Sequence, residues 1–407
     1  MAGGVTVTLG GEDVSAVHSR VREISITRGR QDELDRTGTG TATVSLNYVE
    51  GSSISDFVGA NGTIELANPV GSSGVIFEGI VDEVLYDLDD SQVVTRVDVV
   101  LVDALDFLAS IEIAPGVNGI LPLPSTVDDG NIFYEQEIPQ DRINTAIAES
   151  GFEGVTEIFT GNVQIKDTVY APRTNLLTVI HDAADAEFPG VANVFVQRDG
   201  TFTFHGRLAR FNPGDAQYHI TTYDAGDGAA CLGNSGRAHI RRLRLGSSRK
   251  NIINAALATP EGILDADIEN QIVTDSGSIS TYGLRSWSAE NLLTFYDDLN
   301  NLEANDATLQ FAQYYVDNYA TPQIRVEDLT FKSIRPGHEN AGATWDVLCH
   351  ADISDIIALQ VTNPGIAVNA EYFIEGVRYS IRPLNGSYAL VEMSLDLSPR
   401  AYWDFSF

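Results

Sequence analysis

Residues 371–403 read EYFIEGVRYSIRPLNGSYALVEMSLDLSPRAYW, and their alternation decides what kind of fold the chain can adopt. Val377, Tyr379 and Ile381 fall on one side of an extended chain and Arg378, Ser380 and Arg382 on the other. Beyond Pro383-Leu384-Asn385-Gly386, Met393, Leu395 and Leu397 alternate with Glu392, Ser394 and Asp396. Successive strand side chains point to opposite faces, so a period of two on both sides of a Pro/Asn/Gly turn predicts an antiparallel hairpin with one buried face. On pattern alone, such a hairpin also suits the edge of any β-sandwich.

A second stretch, residues 24–46, ISITRGRQDELDRTGTGTATVSL, lies near the other end of the chain. It reads as a strand, a charged Gly-containing bend and a second strand with Ala42, Val44 and Leu46 opposite Thr41, Thr43 and Ser45. Between the two stretches the pattern changes twice. Residues 1–110 offer short strands near Val5, Ile24, Thr41, Thr63, Val75 and Val93, separated by Gly-rich punctuation, which is the rhythm of a sandwich or barrel. DALDFLAS, residues 103–110, then predicts a short closing helix.

Residues 111–244 are mixed. Asp141 is a candidate cap for a helix carrying Ile143, Ala146 and Ile147, and Thr174 for another carrying Leu176, Leu177, Ile180 and Ala184. NVFVQRDGTFTFHGR then predicts a hairpin turning at Asp199-Gly200, with Arg207 at its end. A second β block is expected over 245–290 and 323–407, split by a helical segment at 291–322. The longest helical region is read over 288–320, with Leu292, Leu299 and Leu302 in one stripe, and Asp306 capping a helix that carries Leu309, Ala312, Val316 and Tyr319 before Pro322 stops it. From Gln323 onward strands are expected to run to the C-terminus.

Composition limits the function. The 407 residues suffice for two to four domains, and 43% hydrophobic with 20% charged content is that of a folded protein. Fifty-seven acidic against 25 basic residues give a net charge of −32, which disfavours holding nucleic acid. Cys231 and Cys349 lack CxxC spacing and are expected to be buried thiols. Nothing near Met1 resembles a signal peptide and no apolar run is long enough for a membrane span, so assembly in a cytoplasm is expected.

The one basic cluster is HIRRLRLGSSRK, residues 239–250. It lacks interleaved aromatics to stack bases, and salt bridges to acidic surface of this or a neighbouring subunit are the favoured reading. Zincin, nucleophile-elbow, P-loop and EF-hand patterns are all missing, the seven histidines have no metal-ligand spacing, and adjacent carboxylates such as Asp297 and Asp298 need not converge. No catalytic, cofactor-binding or metal site is expected. Trp287, Trp345 and Trp403, the only tryptophans, each sit in a plausible core or interface pattern, which weakens a glycan-binding module.

ITRGR…LDR…GTATVSL at one end and FIEG…IRP…MSLDLSP at the other resemble the minor tail proteins of long-tailed actinobacterial phages, the baseplate or tail-tip hub class. The resemblance implies a mainly β fold with an α+β insertion: two tube-like β-barrel or sandwich domains, a small mixed domain and a helical segment. It implies a structural virion protein at the tail tip that closes the tail tube, lines part of the DNA channel and docks other minor tail or receptor-binding proteins, with distal-tail ring or carbohydrate-binding adhesin as the alternative. Its partners would be further copies of itself, distal-tail and tail-tube proteins and a tape-measure protein, with phage DNA only in transit. Three copies of a chain with two tube-like domains would present six similar domains around a channel; a hexamer or a monomer stays open. Arg28, Arg30, Arg36, Arg241, Arg242 and Arg244 are the candidate subunit-interface residues, because arginine pairs bidentately with a neighbour's carboxylates.

Overall fold

A computed structural model of the chain describes residues 4–17, 21–48, 54–88, 90, 94–112, 132–211, 214–221, 238, 240–263, 268–294, 303–363, 366–384 and 389–400. The first block holds β1 (Val5–Leu9), β2 (Glu12–Asp13), the short helix α1 (Val14–Val17), β3 (Val21–Gly29), β4 (Gly38–Asn47), β5 (Asn61–Leu66), β6 (Gly74–Leu88) and β7 (Val94–Val102), and closes with α2 (Ala104–Ser110). α2 is the short closing helix that DALDFLAS predicts, and Asp103 caps it by accepting from Leu105 N at 3.0 Å.

The mixed region follows: β8 (Ile132–Tyr134), α3 (Pro139–Ser150), β9 (Thr156–Ile158), β10 (Thr168–Tyr170), α4 (Leu176–Glu187), β11 (Asn193–Val196), β12 (Phe202–His205), α5 (Arg207–Phe211) and β13 (Tyr218–Thr221). The expected hairpin is β11–β12, with Gly200 at φ +83° in its turn. Both helix starts differ from expectation. Pro139 opens α3, so Asp141 sits inside its first turn instead of capping it. Asn175, not Thr174, caps α4, accepting from Thr178 N at 2.8 Å, while the Thr174 hydroxyl turns back to Ala171 O.

The remaining elements are β14 (Ile240–Ser247), β15 (Ala255–Pro260), β16 (Ile272–Thr274), α6 (Ser276–Tyr282), β17 (Ser286–Leu292), α7 (Glu303–Tyr319), β18 (Ile324–Lys332), α8 (Ala341–His350), β19 (Ile356–Asn363), β20 (Ile366–Pro383) and β21 (Ala389–Pro399). Three expectations are corrected here. Residues 288–292 are strand, because β17 pairs in parallel with β15 from Ala255↔Ser286 onward. Asp306 lies within α7 rather than ahead of it, and Leu299 and Leu302 lie outside the described residues. The run of strands after Gln323 is interrupted by α8, whose Ala341, Trp345 and Leu348 are buried at helical spacing.

The fold is mainly β. One sheet is antiparallel along the path β14-β18-β21-β20-β3-β4-β7-β6-β5-β1-β2 and carries a branch in which β19 pairs with β20 and β13 pairs in parallel with β19. The C-terminal hairpin is antiparallel with one buried face, as expected, pairing Val377↔Leu395, Tyr379↔Met393 and Ile381↔Val391, while Asn385 and Gly386 of the expected turn lie outside the described residues. Among the described residues the sheet does not close into a barrel: β14 stands at one end of the path and β2 at the other. The N- and C-terminal blocks are joined where β3 pairs with β20, Ile26↔Tyr379 and Gly29↔Gly376, and a single apolar core runs beneath both, including Ile24, Val44, Leu101, Trp345, Val377 and Leu395. A second core around Leu105, Ile143, Ile180 and Phe202 fills the mixed region, and a third gathers Phe188, Phe311, Tyr314, Tyr315 and Tyr319 under β15. Cys349 is a buried free thiol; Cys231 lies outside the described residues. Among the described residues no helix is long and apolar enough to cross a membrane.

Candidate functional site

The joint between the two blocks brings the ITRGR and FIEG stretches into contact. β3 alternates through Ile24 and Ile26, and the same phase turns Arg28 inward, followed by Arg30 just beyond the strand. Gly29 and Gly376 face each other across the ladder, Gly29 at φ +85°. A Cβ on Gly29 would stand 2.2 Å from Glu375 O, and one on Gly376 2.6 Å from Arg30 O. Only glycine on both chains allows this approach.

The bulge between Ile374 and Gly376 aims Glu375 inward. Its carboxylate, 1% exposed, accepts Arg30 Nε at 2.8 Å, Arg210 Nη1 at 2.7 Å and Nη2 at 3.1 Å, and the Ser398 hydroxyl at 2.5 Å. Burial by itself would raise the Glu375 pKa, but the charges and hydrogen bonds of Arg210 and Arg30 outweigh it and hold the group at about 2. Two parallel contacts flank this centre. Arg28 Nη1 donates to Asp352 Oδ1 at 2.7 Å, and Asp352 Oδ2 accepts Arg198 N at 2.7 Å; Glu33, also buried, pairs with Arg325. One residue each from the first block, the mixed region and the last strands therefore meet at Glu375.

Four of the candidate interface residues lie elsewhere. Arg36, half-exposed, donates from Nη2 to Asp182 at 3.0 Å and from Nε to Asp185 at 2.9 Å. Arg241, Arg242 and Arg244 lie on β14, at the free end of the sheet, with side chains 46, 61 and 63% exposed. Arg241 pairs with Glu392, Arg242 with Asp328 at 3.1 Å and Arg244 with Glu327 at 3.0 Å, so each has a carboxylate of its own chain and remains open on the other side. Arg28 and Arg30, by contrast, are consumed inside the chain, at 3 and 5% exposed.

Two serine–histidine contacts escaped the sequence reading, since their members are remote in the chain. Ser72 Oγ lies 3.4 Å from His350 Nε2, whose Nδ1 is 2.9 Å from Asp346 Oδ1. Asp346 and His350 share α8, the helix the alternation-based reading passed over. This series resembles a nucleophile, base and orienting acid in order only: the serine contact is long, and the Asp346 carboxylate is 55% exposed, where water screens it. Ser354, with φ +74°, meets His205 Nδ1 at 2.9 Å, but burial, with the nearby Arg210 charge, lowers His205 to about 3, too weak a base to activate a hydroxyl. Among the described residues no group of three or more His, Cys, Asp or Glu could hold a metal ion.

The sequence matches no protein-family model and no curated protein. The fold does have counterparts among solved structures. The chain is similar to a tail protein from Neisseria meningitidis MC58, with a TM-score of 0.59, 12% identity and 99% of each chain covered. It is similar also to a 43 kDa tail protein of prophage MuSo2 from Shewanella oneidensis, with a TM-score of 0.58, 11% identity and 99% of each chain covered.

Proposed function

We propose that the chain is a structural component of a phage tail, acting as a tail-tip or baseplate hub that closes the tail tube, lines part of the DNA channel and docks other minor tail or receptor-binding proteins. The observation that carries the reading is the single antiparallel sheet through both β blocks, in a fold that matches two tail proteins along its whole length. In this reading the protein resides in the virion at the tail tip after assembly in the host cytoplasm. Its neighbours are distal-tail, tail-tube and tape-measure proteins.

Three copies form the ring. The sheet ends at β14, rich in arginine, and at β2, which is Glu12-Asp13. A heterologous contact between such unlike ends closes into a ring and covers the two end strands of the β14-to-β2 path. Arg241, Arg242 and Arg244 are the residues we assign to subunit contacts; Arg36, which pairs with Asp182 and Asp185 of its own chain away from both sheet ends, is not among them. Arg28 and Arg30 instead hold the two blocks of one subunit in fixed register, so that three chains present six blocks. With a net charge of −32, a channel lined by such subunits does not retain passing DNA.

Native mass spectrometry of the isolated chain, followed by symmetry-averaged imaging of virions, tests this reading. Three copies at the tail tip are expected. Six copies in one ring would favour a distal-tail ring, and a monomer absent from virions would overturn the proposal.

A further inference from the structure

A cleft of about 340 Å³ opens between β17, the C-terminal part of α4 and the segment around Leu34–Arg36. It stands apart from the sheet ends assigned to ring closure. Three features of its lining belong together. Trp287, on β17, is half-buried and packs against the buried Tyr315 with ring centroids 4.0 Å apart and planes tilted by 40°, which holds the indole at the cleft wall. Arg36, Asp182 and Asp185 form a hydrogen-bonded array in the cleft lining. Glu290 and Asn291 complete it; Glu290 is exposed with no ion-pair partner among the described residues, and Asn291 is held at φ +58°. Asparagine adopts this left-handed backbone more readily than other side chains, and here it falls at the bulge between Ala289 and Leu292 of β17, which sets the Asn291 amide at the cleft lining.

We propose that this cleft binds a neutral carbohydrate. A pyranose ring has an apolar C–H face that packs against a fixed indole, and hydroxyls that both donate and accept. The lining supplies acceptors in Asp182, Asp185 and Glu290 and donors in Arg36 and Asn291. The volume is at the lower end of small-molecule sites and suits one or two sugar rings. Three carboxylates against one guanidinium, on a chain of net charge −32, repel uronic acids and sugar phosphates, so the ligand class is neutral. Neither of the other tryptophans offers this arrangement among the described residues: Trp345 is 1% exposed with its indole N–H donated to Ile334 O, and Trp403 lies outside them.

The test uses the full chain, saturation-transfer NMR and tryptophan fluorescence. The probes are glucose, galactose, mannose, N-acetylglucosamine and their short oligomers, each run beside glucuronic or galacturonic acid. At least one neutral probe is expected to bind saturably at millimolar concentration while the acids do not. Trp287→Phe, which keeps an aromatic ring on Tyr315, and Glu290→Ala, at an exposed position, are each expected to weaken binding about tenfold or more. Asn291→Gly relieves the left-handed backbone, so it retains the fold and isolates loss of the side chain; it too is expected to weaken binding. The proposal is overturned if no neutral probe binds, if the acids bind equally well, or if folded Trp287→Phe and Glu290→Ala proteins bind as the parent does. None of these outcomes depends on the ring reading, whose own test is copy number in the virion.

Discussion

The chain has two places where arginines crowd among carboxylates, and they do opposite things. At the β3–β20 joint, Arg30 and Arg210 converge on a Glu375 that is 1% exposed; on β14, Arg241, Arg242 and Arg244 pair with Glu392, Asp328 and Glu327 in open water. The residue types are the same and the distances similar, so the difference lies in the medium. Removing one partner of a buried pair strands a charge where water cannot reach it, whereas an exposed pair exchanges each lost contact for hydration. The first arrangement fixes the fold of the chain, and the second leaves its arginines accessible for the subunit contact proposed for them.

Glu375→Gln breaks the comparison at its most sensitive point. It leaves Arg30 and Arg210 without a counter-charge and is expected to destabilise the chain by about 3–5 kcal/mol, read by denaturant unfolding. The pH dependence supplies its signature. Glu375 sits at about 2, below the ordinary carboxylate, so its contribution is fully present above the unfolded pKa of about 4.3 and is lost as pH falls toward 2. The gap between parent and variant should be constant near neutrality and shrink below pH about 4. A gap that persists unchanged at about pH 2 would show that packing, not charge, holds the joint.

Next in size is Gly29→Ala. The substitution combines a left-handed backbone with a Cβ 2.2 Å from Glu375 O, so the two chains must separate at the junction. A loss of about 2–3 kcal/mol or more is expected, against about 1 kcal/mol at Gly11, which bears the same left-handed backbone cost but has nothing within 4 Å of the added Cβ. Equal losses at both positions would remove close approach as the reason for glycine at the joint. Arg36→Ala should cost less, about 1 kcal/mol or below, because Arg36 is half-exposed and its ion pairs with Asp182 and Asp185 are partly screened.

Much of this was legible in the sequence where the determining contacts are local. The C-terminal hairpin, the Asp199-Gly200 turn and the closing helix of DALDFLAS are written in neighbouring residues, and the structure follows them. β17 was misread because Leu292 continues a helical stripe on paper, while the pairing with β15 that makes it a strand comes from residues some thirty positions earlier. α8 was missed because alternation on both sides suggested continuous strands. The burial of Arg28 had a signal: it shares its phase with Ile24 and Ile26, but a charged residue in a Gly-containing bend reads as solvated until a counter-charge is known. Asp352 lies 324 residues away, and nothing local announces it.

The smallest effect on the folded subunit is expected on β14, and it sharpens the comparison most. Arg242 and Arg244 are 61 and 63% exposed, and their partners Asp328 and Glu327 sit beside them on the paired strand β18. Replacing both with glutamate places like charges across the ladder, which should lower subunit stability by about 1 kcal/mol or less, a shift of a few degrees in Tm at most. The same change reverses the charge that this sheet end presents to Glu12 and Asp13 of a neighbouring copy, so the proposed ring should fail to form while the isolated chain keeps its circular dichroism and an unfolding midpoint within a few degrees of the parent's. Native mass spectrometry of parent and variant, at low salt and again at high salt, separates the two effects, since exposed charge contacts weaken as the Debye length contracts. Oligomers that form equally in both proteins would take β14 out of the subunit contact; an unfolded variant would instead mean that the arginines of the edge are as much a part of the single subunit as those at the joint.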